Sequence, residues 1–211
     1  GSFQWFKNKF AVEENRIEQE GGPNAYDNLT AQASEVEPGS EGCIFLPYLS
    51  GERTPHPDPH ARGAFIGLSL RHGLGHMARS VLEGVSFGLN DSLSLMRGLG
   101  INPSNIILTG GGTESSLWKQ ILSDIFQSNC ALVNAKEGAA YGAALLASVG
   151  IGTQQSVESA SREWIRETEN IMPGNDVMTY DKIYSHYREL YPSLKNHFHS
   201  ISKILEQGSE K

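Results

Sequence analysis

The stretch that most restricts what this chain can fold into is Asn105-Ile106-Ile107-Leu108-Thr109-Gly110-Gly111-Gly112, with Glu114-Ser115-Ser116 and an apolar stripe close behind. Asn105 to Thr109 reads as a short strand. Leu117, Trp118, Ile121, Leu122, Ile125 and Phe126 then recur at the spacing of one helix face, which reads as core. A strand that passes through glycines into a helix is a building unit of α/β folds. Glycine accepts the positive φ such a turn requires and lets a ligand approach the backbone. The helix that starts near Ser115 aims free N–H groups and a positive dipole end at the same space, which suits an anion or a sugar hydroxyl. No Gly-Lys-Ser/Thr closes the turn, so it is not a Walker loop, and it lacks the second spaced glycine of a dinucleotide fingerprint. Taken alone it reads equally as a tight connection.

The rest of the chain repeats the alternation of strand and helix. Phe3, Trp5, Phe6 and Phe10 make an apolar-rich opening, and Asn24 caps a helix expected to run to about Val36. Cys43 to Leu49 and Ala64 to Leu68 read as strands, and Gly73 to Met96 as a long helix stopped by Gly98, Gly100 and Pro103. Cys130 to Val133 is a further strand, and Glu137 to Val149 a small-residue helix. Its Ala139, Ala140, Gly142, Ala143 and Ala144 face is expected to pack closely on a sheet. Tyr180 to Leu205 reads as a terminal helix kinked or broken at Pro192. The fold class predicted is α/β, a mixed sheet flanked by helices. Residues 1–40 form a helical start, 41–152 the α/β core, and 153–211 a helical extension of the same lobe.

Composition removes several classes of function. A net charge of −7, with no Lys/Arg cluster, argues against nucleic-acid and polybasic membrane binding. No apolar run reaches the roughly 18 residues of a membrane span. Cys43 and Cys130 are expected to be reduced, buried thiols of a cytoplasmic protein. His56 and His60 have metal-ligand spacing only on a helix, which Pro57 and Pro59 forbid, so no metal site is expected. His197 and His199 read as surface residues, and Asp91 and Asp124 as solvent-facing residues of their helices. Arg53 could bind a phosphate or carboxylate, or tie its loop to a neighbouring helix.

A second motif, Gly63-x-Phe65-x-Gly67-Leu68 followed by His76-Met77-x-x-Ser80-Val81-Leu82-Glu83, resembles the C-terminal signature of the FGGY carbohydrate kinases, members of the actin-like (ribonuclease H-like) ATPase superfamily. Leu49-Ser50-Gly51-Glu52-Arg53-Thr54-Pro55-His56 and Ala61-Arg62-Gly63 narrow the resemblance to xylulokinases and close relatives. Thr109-Gly110-Gly111-Gly112 with Trp118-Lys119-Gln120 and Asp124-Ile125 is similar to the family's adenosine-binding turn and helix. Glu137-Gly138-Ala139-Ala140-Tyr141-Gly142-Ala143-Ala144 resembles the last helix of its nucleotide domain.

The resemblance implies an actin-like lobe that binds ATP with Mg²⁺, in a kinase that phosphorylates D-xylulose to xylulose 5-phosphate. It places Gly110, Gly111 and Gly112 beside the nucleotide, and Ser115 where many members carry an asparagine near the adenosine. Tyr26 matches an aromatic position near the adenine, and Glu52, Arg53 and Thr54 face the cleft between two lobes. The family's catalytic aspartate and phosphate turn lie upstream of the segments matched here. This chain alone is therefore expected to bind nucleotide at best weakly and not to turn over sugar, and no catalytic residue is assigned within it. ATP or ADP, a sugar held mainly by the other lobe, and a homodimer are the partners this reading admits. The alternatives are the same lobe of a ribulose, gluconate or glycerol kinase, or a non-catalytic nucleotide-sensing module.

Overall fold

The computed structural model describes residues 1–135 and 138–208. Helices α1 (Ser2–Phe10) and α2 (Val12–Gln19) meet at Ala11, which is fully buried. Phe3 and Phe6 drive α1 inward, which explains why the chain opens in aromatics. Asn24 caps α3 (Ala25–Ser34), its side chain accepting the Tyr26 N–H at 2.8 Å.

Strands β1 (Ile44–Leu46) and β2 (Ala64–Ile66) pair antiparallel, with Phe45 opposite Phe65. The long loop between them folds back over the molecule. Helix α4 (Leu74–Gly98) is the spine on which α1, α3, α5 and β1 all pack. Its approach to β1 is close because Gly84 has no side chain: a Cβ there would lie 2.1 Å from the Phe45 carbonyl oxygen. Beyond α4, β3 (Ile106–Ile107) lies parallel to β4 (Cys130–Val133), and helix α5 (Ser116–Phe126) connects them. After α6 (Gly138–Gly150) and α7 (Val157–Trp164), β5 (Glu167–Ile171) pairs antiparallel with β4. The sheet order β3-β4-β5 is therefore mixed, as expected, and α5 covers one face. Helix α8 (Val177–Gly208) returns across α5 and β1.

Five expectations change. Helix α8 is not broken at Pro192 but continues through it, with Tyr187, Tyr191 and Phe198 buried on either side. The alanine-rich α6 packs on α7, and Ala139, Ala140, Ala143 and Ala144 are exposed. Its buried positions are Leu145 and Ser148 instead. Asp124 is buried at 1% exposure, accepting hydrogen bonds from the Gly174 N–H and the Gln120 amide. Asp91 is buried at 6% and accepts a 2.6 Å bond from the Tyr184 hydroxyl. His199 is half-buried and bonded rather than free, as described below. Cys43 and Cys130 are free and buried, as expected, and burial raises both thiols, Cys130 to about 11. Glu137, which opens one of the sequence motifs, lies outside the described residues.

Under α3 sits a buried ion pair. Arg79 Nε donates to Glu83 Oε1 at 2.8 Å, and both residues are almost fully buried. Burial pushes the Glu83 carboxyl up, and the Arg79 charge and bonds from the Gly39 N–H and Ser40 hydroxyl oppose that. Arg79 also donates to the Ala33 and Val36 carbonyls at the end of α3 and to the Tyr180 hydroxyl of α8. One guanidinium thus fastens three helices.

Candidate functional site

A cleft of about 640 Å³ opens between the start of α1, the first turns of α3 and the glycine turn that enters α5. Tyr26, Gly111, Gly112 and Ser115, brought forward from different segments of the sequence, line it together. Each is placed by its own element. The Asn24 cap sets the first turn of α3 and so the height of Tyr26. Ser115 caps α5, its hydroxyl accepting the Trp118 N–H at 3.2 Å.

The three glycines are not equivalent. Gly110 has φ 91 and ψ 177, a conformation that a side chain makes strained. A Cβ on Gly112 would sit 2.9 Å from the Trp118 ring. At Gly111 a Cβ would meet nothing within 4 Å, so its bare backbone faces open cleft. Gly110 itself lines a different hollow of about 570 Å³ on the far side of the turn, where Lys119 Nζ pairs with Glu169 at 2.6 Å.

Gly1, Phe3, Gln4, Asn24, Asp27, Thr30 and Glu114 also line the cleft without having been assigned to it from sequence, and Trp118, part of the motif similar to the adenosine-binding helix, joins them. Trp118, from the apolar stripe that reads as core, packs against the core while half-buried, and its ring also forms part of the wall. Its indole N–H donates to Ser86 on α4 at 3.1 Å, which fixes the ring plane. Phe3 lies 5.6 Å from the Tyr26 ring and 5.8 Å from the Trp118 ring, centroid to centroid. Lys7 places its ammonium 4.9 Å from the Tyr26 ring centre, a cation–π arrangement. The signal for Phe3 was available in the aromatic opening of the chain. Asp27 and Thr30 carried none, because only the position of α3 brings them to the cleft.

Glu52, Arg53 and Thr54 line a neighbouring cleft of about 420 Å³ with Pro47, Val85 and Leu89. Phe3 and Trp118 belong to both clefts, so the two sets of residues anticipated from sequence meet across these rings. Glu52 Oε1 accepts the Arg53 and Thr54 N–H groups at 2.7 and 2.8 Å, which curls the loop tip. The Arg53 guanidinium makes no hydrogen bond or ion pair with the described residues, so it does not tie the loop to a helix. Asp58 does that instead.

Chemically, the larger cleft offers three aromatic rings, bare backbone at Gly111 and the N-terminal end of α5. That set fits a flat heterocycle bearing a polar sugar. No group of three or more His, Cys, Asp or Glu among the described residues is arranged to hold a metal ion.

The C-terminal-domain model of the FGGY family of carbohydrate kinases matches residues 1–151, and the chain belongs to that family. It is 35% identical over 195 residues to a xylulose kinase of Staphylococcus epidermidis, covering 92% of this chain and 37% of the relative. It is 35% identical over 204 residues to a gluconokinase of Bacillus subtilis, covering 96% of this chain and 38% of the relative. Its structure resembles that of a ligand-bound xylulose kinase from Lactobacillus acidophilus with a TM-score of 0.82 and 28% identity, over 95% of this chain and 39% of that one. The fold is the actin-like ATPase fold of these kinases. The chain thus spans well under half the length of the relatives it matches.

Proposed function

We propose that this chain is the ATP-binding lobe of a sugar kinase that transfers the γ-phosphoryl group of MgATP to a terminal hydroxyl of D-xylulose. The observation that carries the nucleotide assignment is the convergence of Tyr26, Gly111, Gly112 and Ser115 on one cleft of about 640 Å³. In this reading Tyr26, Phe3 and Trp118 hold the adenine by stacking. Gly111 and Gly112 let the ribose and phosphates pass close to the backbone, and Ser115 with the α5 N-terminus supplies hydrogen bonding and positive potential. ATP supplies the transferred group when bound. Magnesium is assigned to the phosphates of the nucleotide, as the described residues offer no ligand cluster of their own, and no step is derived through it.

In-line phosphoryl transfer also requires a base near the attacking hydroxyl. Following the resemblance, which puts the catalytic aspartate upstream of the matched segments, we assign the base to polypeptide outside these 211 residues; Asp58, Asp91 and Asp124 are each engaged in structural hydrogen bonds. The choice of D-xylulose is supported by similarity to xylulose kinases. A gluconate kinase is the second reading, supported by equal identity to a gluconokinase. A reduced, buried pair of thiols and a substrate such as MgATP suit a cytoplasmic setting.

A sugar panel tests this. The lobe joined to the remainder of its polypeptide is assayed with MgATP against D-xylulose, ribulose, gluconate and glycerol. D-xylulose should give the highest kcat/KM, and the 211-residue chain alone should give no turnover. Preference for gluconate would establish the second reading, and turnover by the chain alone would refute the external base.

A further inference from the structure

The loop that carries Glu52, Arg53 and Thr54 is closed on itself at its base. The Glu52 N–H donates to the Asp58 carbonyl at 2.9 Å, and the Asp58 N–H donates to the Glu52 carbonyl at 3.0 Å. Asp58 is only 4% exposed although it belongs to a surface loop. Its carboxylate is saturated from two directions. Oδ1 accepts the His60 N–H at 2.8 Å, within the loop. Oδ2 accepts the Tyr191 hydroxyl at 2.7 Å and bonds His199 Nε2 at 2.8 Å, both from α8. His56 adds a stacked contact, its ring 3.9 Å from that of Tyr191.

We propose that the far half of α8 sets the conformation of this cleft loop, with Asp58 as the positioning residue and Tyr191 and His199 as its two anchors. The loop tip needs such an anchor. The Arg53 guanidinium does not hold it, and Glu52 spends its carboxylate on the tip's own amides. The base bridge fixes Glu52 against Asp58 but leaves both free to swing as a unit. A carboxylate held by two donors one helical stretch apart removes that swing. Burial would raise the Asp58 carboxyl, but the bonds from His199, Tyr191 and His60 outweigh it and lower it to about 2. The anchors are thus engaged with a charged acceptor, the stronger kind of hydrogen bond. The functional meaning rests on the reading of Glu52, Arg53 and Thr54 as cleft residues. The mechanical claim does not.

Amide hydrogen exchange on the full 211-residue chain tests it, because the Glu52, Asp58 and His60 amides are the ones the clamp protects. In His199→Leu and Tyr191→Phe these amides should exchange about tenfold faster or more, while peptides from α4 and α5 keep their rates. His199→Gln keeps a side-chain N–H and should recover most of the protection. Tyr191→Phe is the milder change and keeps the test open if His199→Leu folds poorly. Unchanged loop exchange in both variants, or exchange rising uniformly over the whole chain, would overturn the proposal. Neither result depends on whether the chain proves to be part of a kinase.

Discussion

The three glycines of the turn show how one residue type does different work at neighbouring positions. Gly110 is required by its backbone, so Gly110→Ala should cost about 1–3 kcal/mol in denaturant unfolding. Gly111 has no such constraint, and its substitution should be felt by a ligand rather than by the fold. From sequence the three were indistinguishable, since neither φ nor the position of Trp118 can be read from a run of glycines. The aspartates misled in the opposite sense. Asp91 and Asp124 lie on amphipathic helices and were read as solvent-facing, yet both are buried because α8 and the segment around Gly174 supply donors from far along the chain. Asp58 carries a pH prediction. Its folded value of about 2 lies below the ordinary 3.8, so its contribution to stability is full above that range and is lost as pH falls toward 2. The melting-temperature gap between wild type and Asp58→Asn should narrow as pH falls from about 5 toward 2. A gap independent of pH would contradict the charged clamp.

At the scale of elements, the strong periodicities held. The Gly73-capped α4, the Ser115-capped α5 and strand β4 stand where the apolar spacing placed them. Strand β5 had no such signal, because four of its five residues are exposed and it forms through backbone pairing with β4. Helix α7, which buries only Ala160, was missed although Ser156 and Ser159 form a capping box at its start and Val157, Ala160 and Trp164 fall on one face. Two tests address how the elements are joined. Gly84→Ala drives a methyl into the Phe45 carbonyl, so α4 must move off β1 at a cost of about 1–3 kcal/mol in thermal unfolding. Arg79→Met leaves Glu83 buried without its cation and frees the end of α3. It should cost about 3–5 kcal/mol, the largest loss among these variants. A loss below that of Gly84→Ala would show that the ion pair is not the joint between α3, α4 and α8.

For the whole molecule, four of the residues that the resemblance assigns to a nucleotide, Tyr26, Gly111, Gly112 and Ser115, line one cleft. The motifs pointed to Tyr26, the glycine turn, Ser115 and the Trp118 helix, and the fold adds Phe3, with Phe3 and Trp118 as walls shared with the Glu52-Arg53-Thr54 cleft. That sharing was not legible in sequence, because Phe3 on α1 and Trp118 on α5 are far apart along the chain and come together only when both helices pack on α4. The chain spans 37% of a xylulose kinase it resembles. The central claim is that the bare backbone at Gly111 faces bound nucleotide. Calorimetric titration of ATP into wild type and Gly111→Val, alongside their melting temperatures, tests it most directly. The prediction is saturable binding to wild type, no detectable binding to Gly111→Val, and melting temperatures that nearly coincide. Equal ATP affinity in the two proteins would remove the glycine turn from the site and contradict the account.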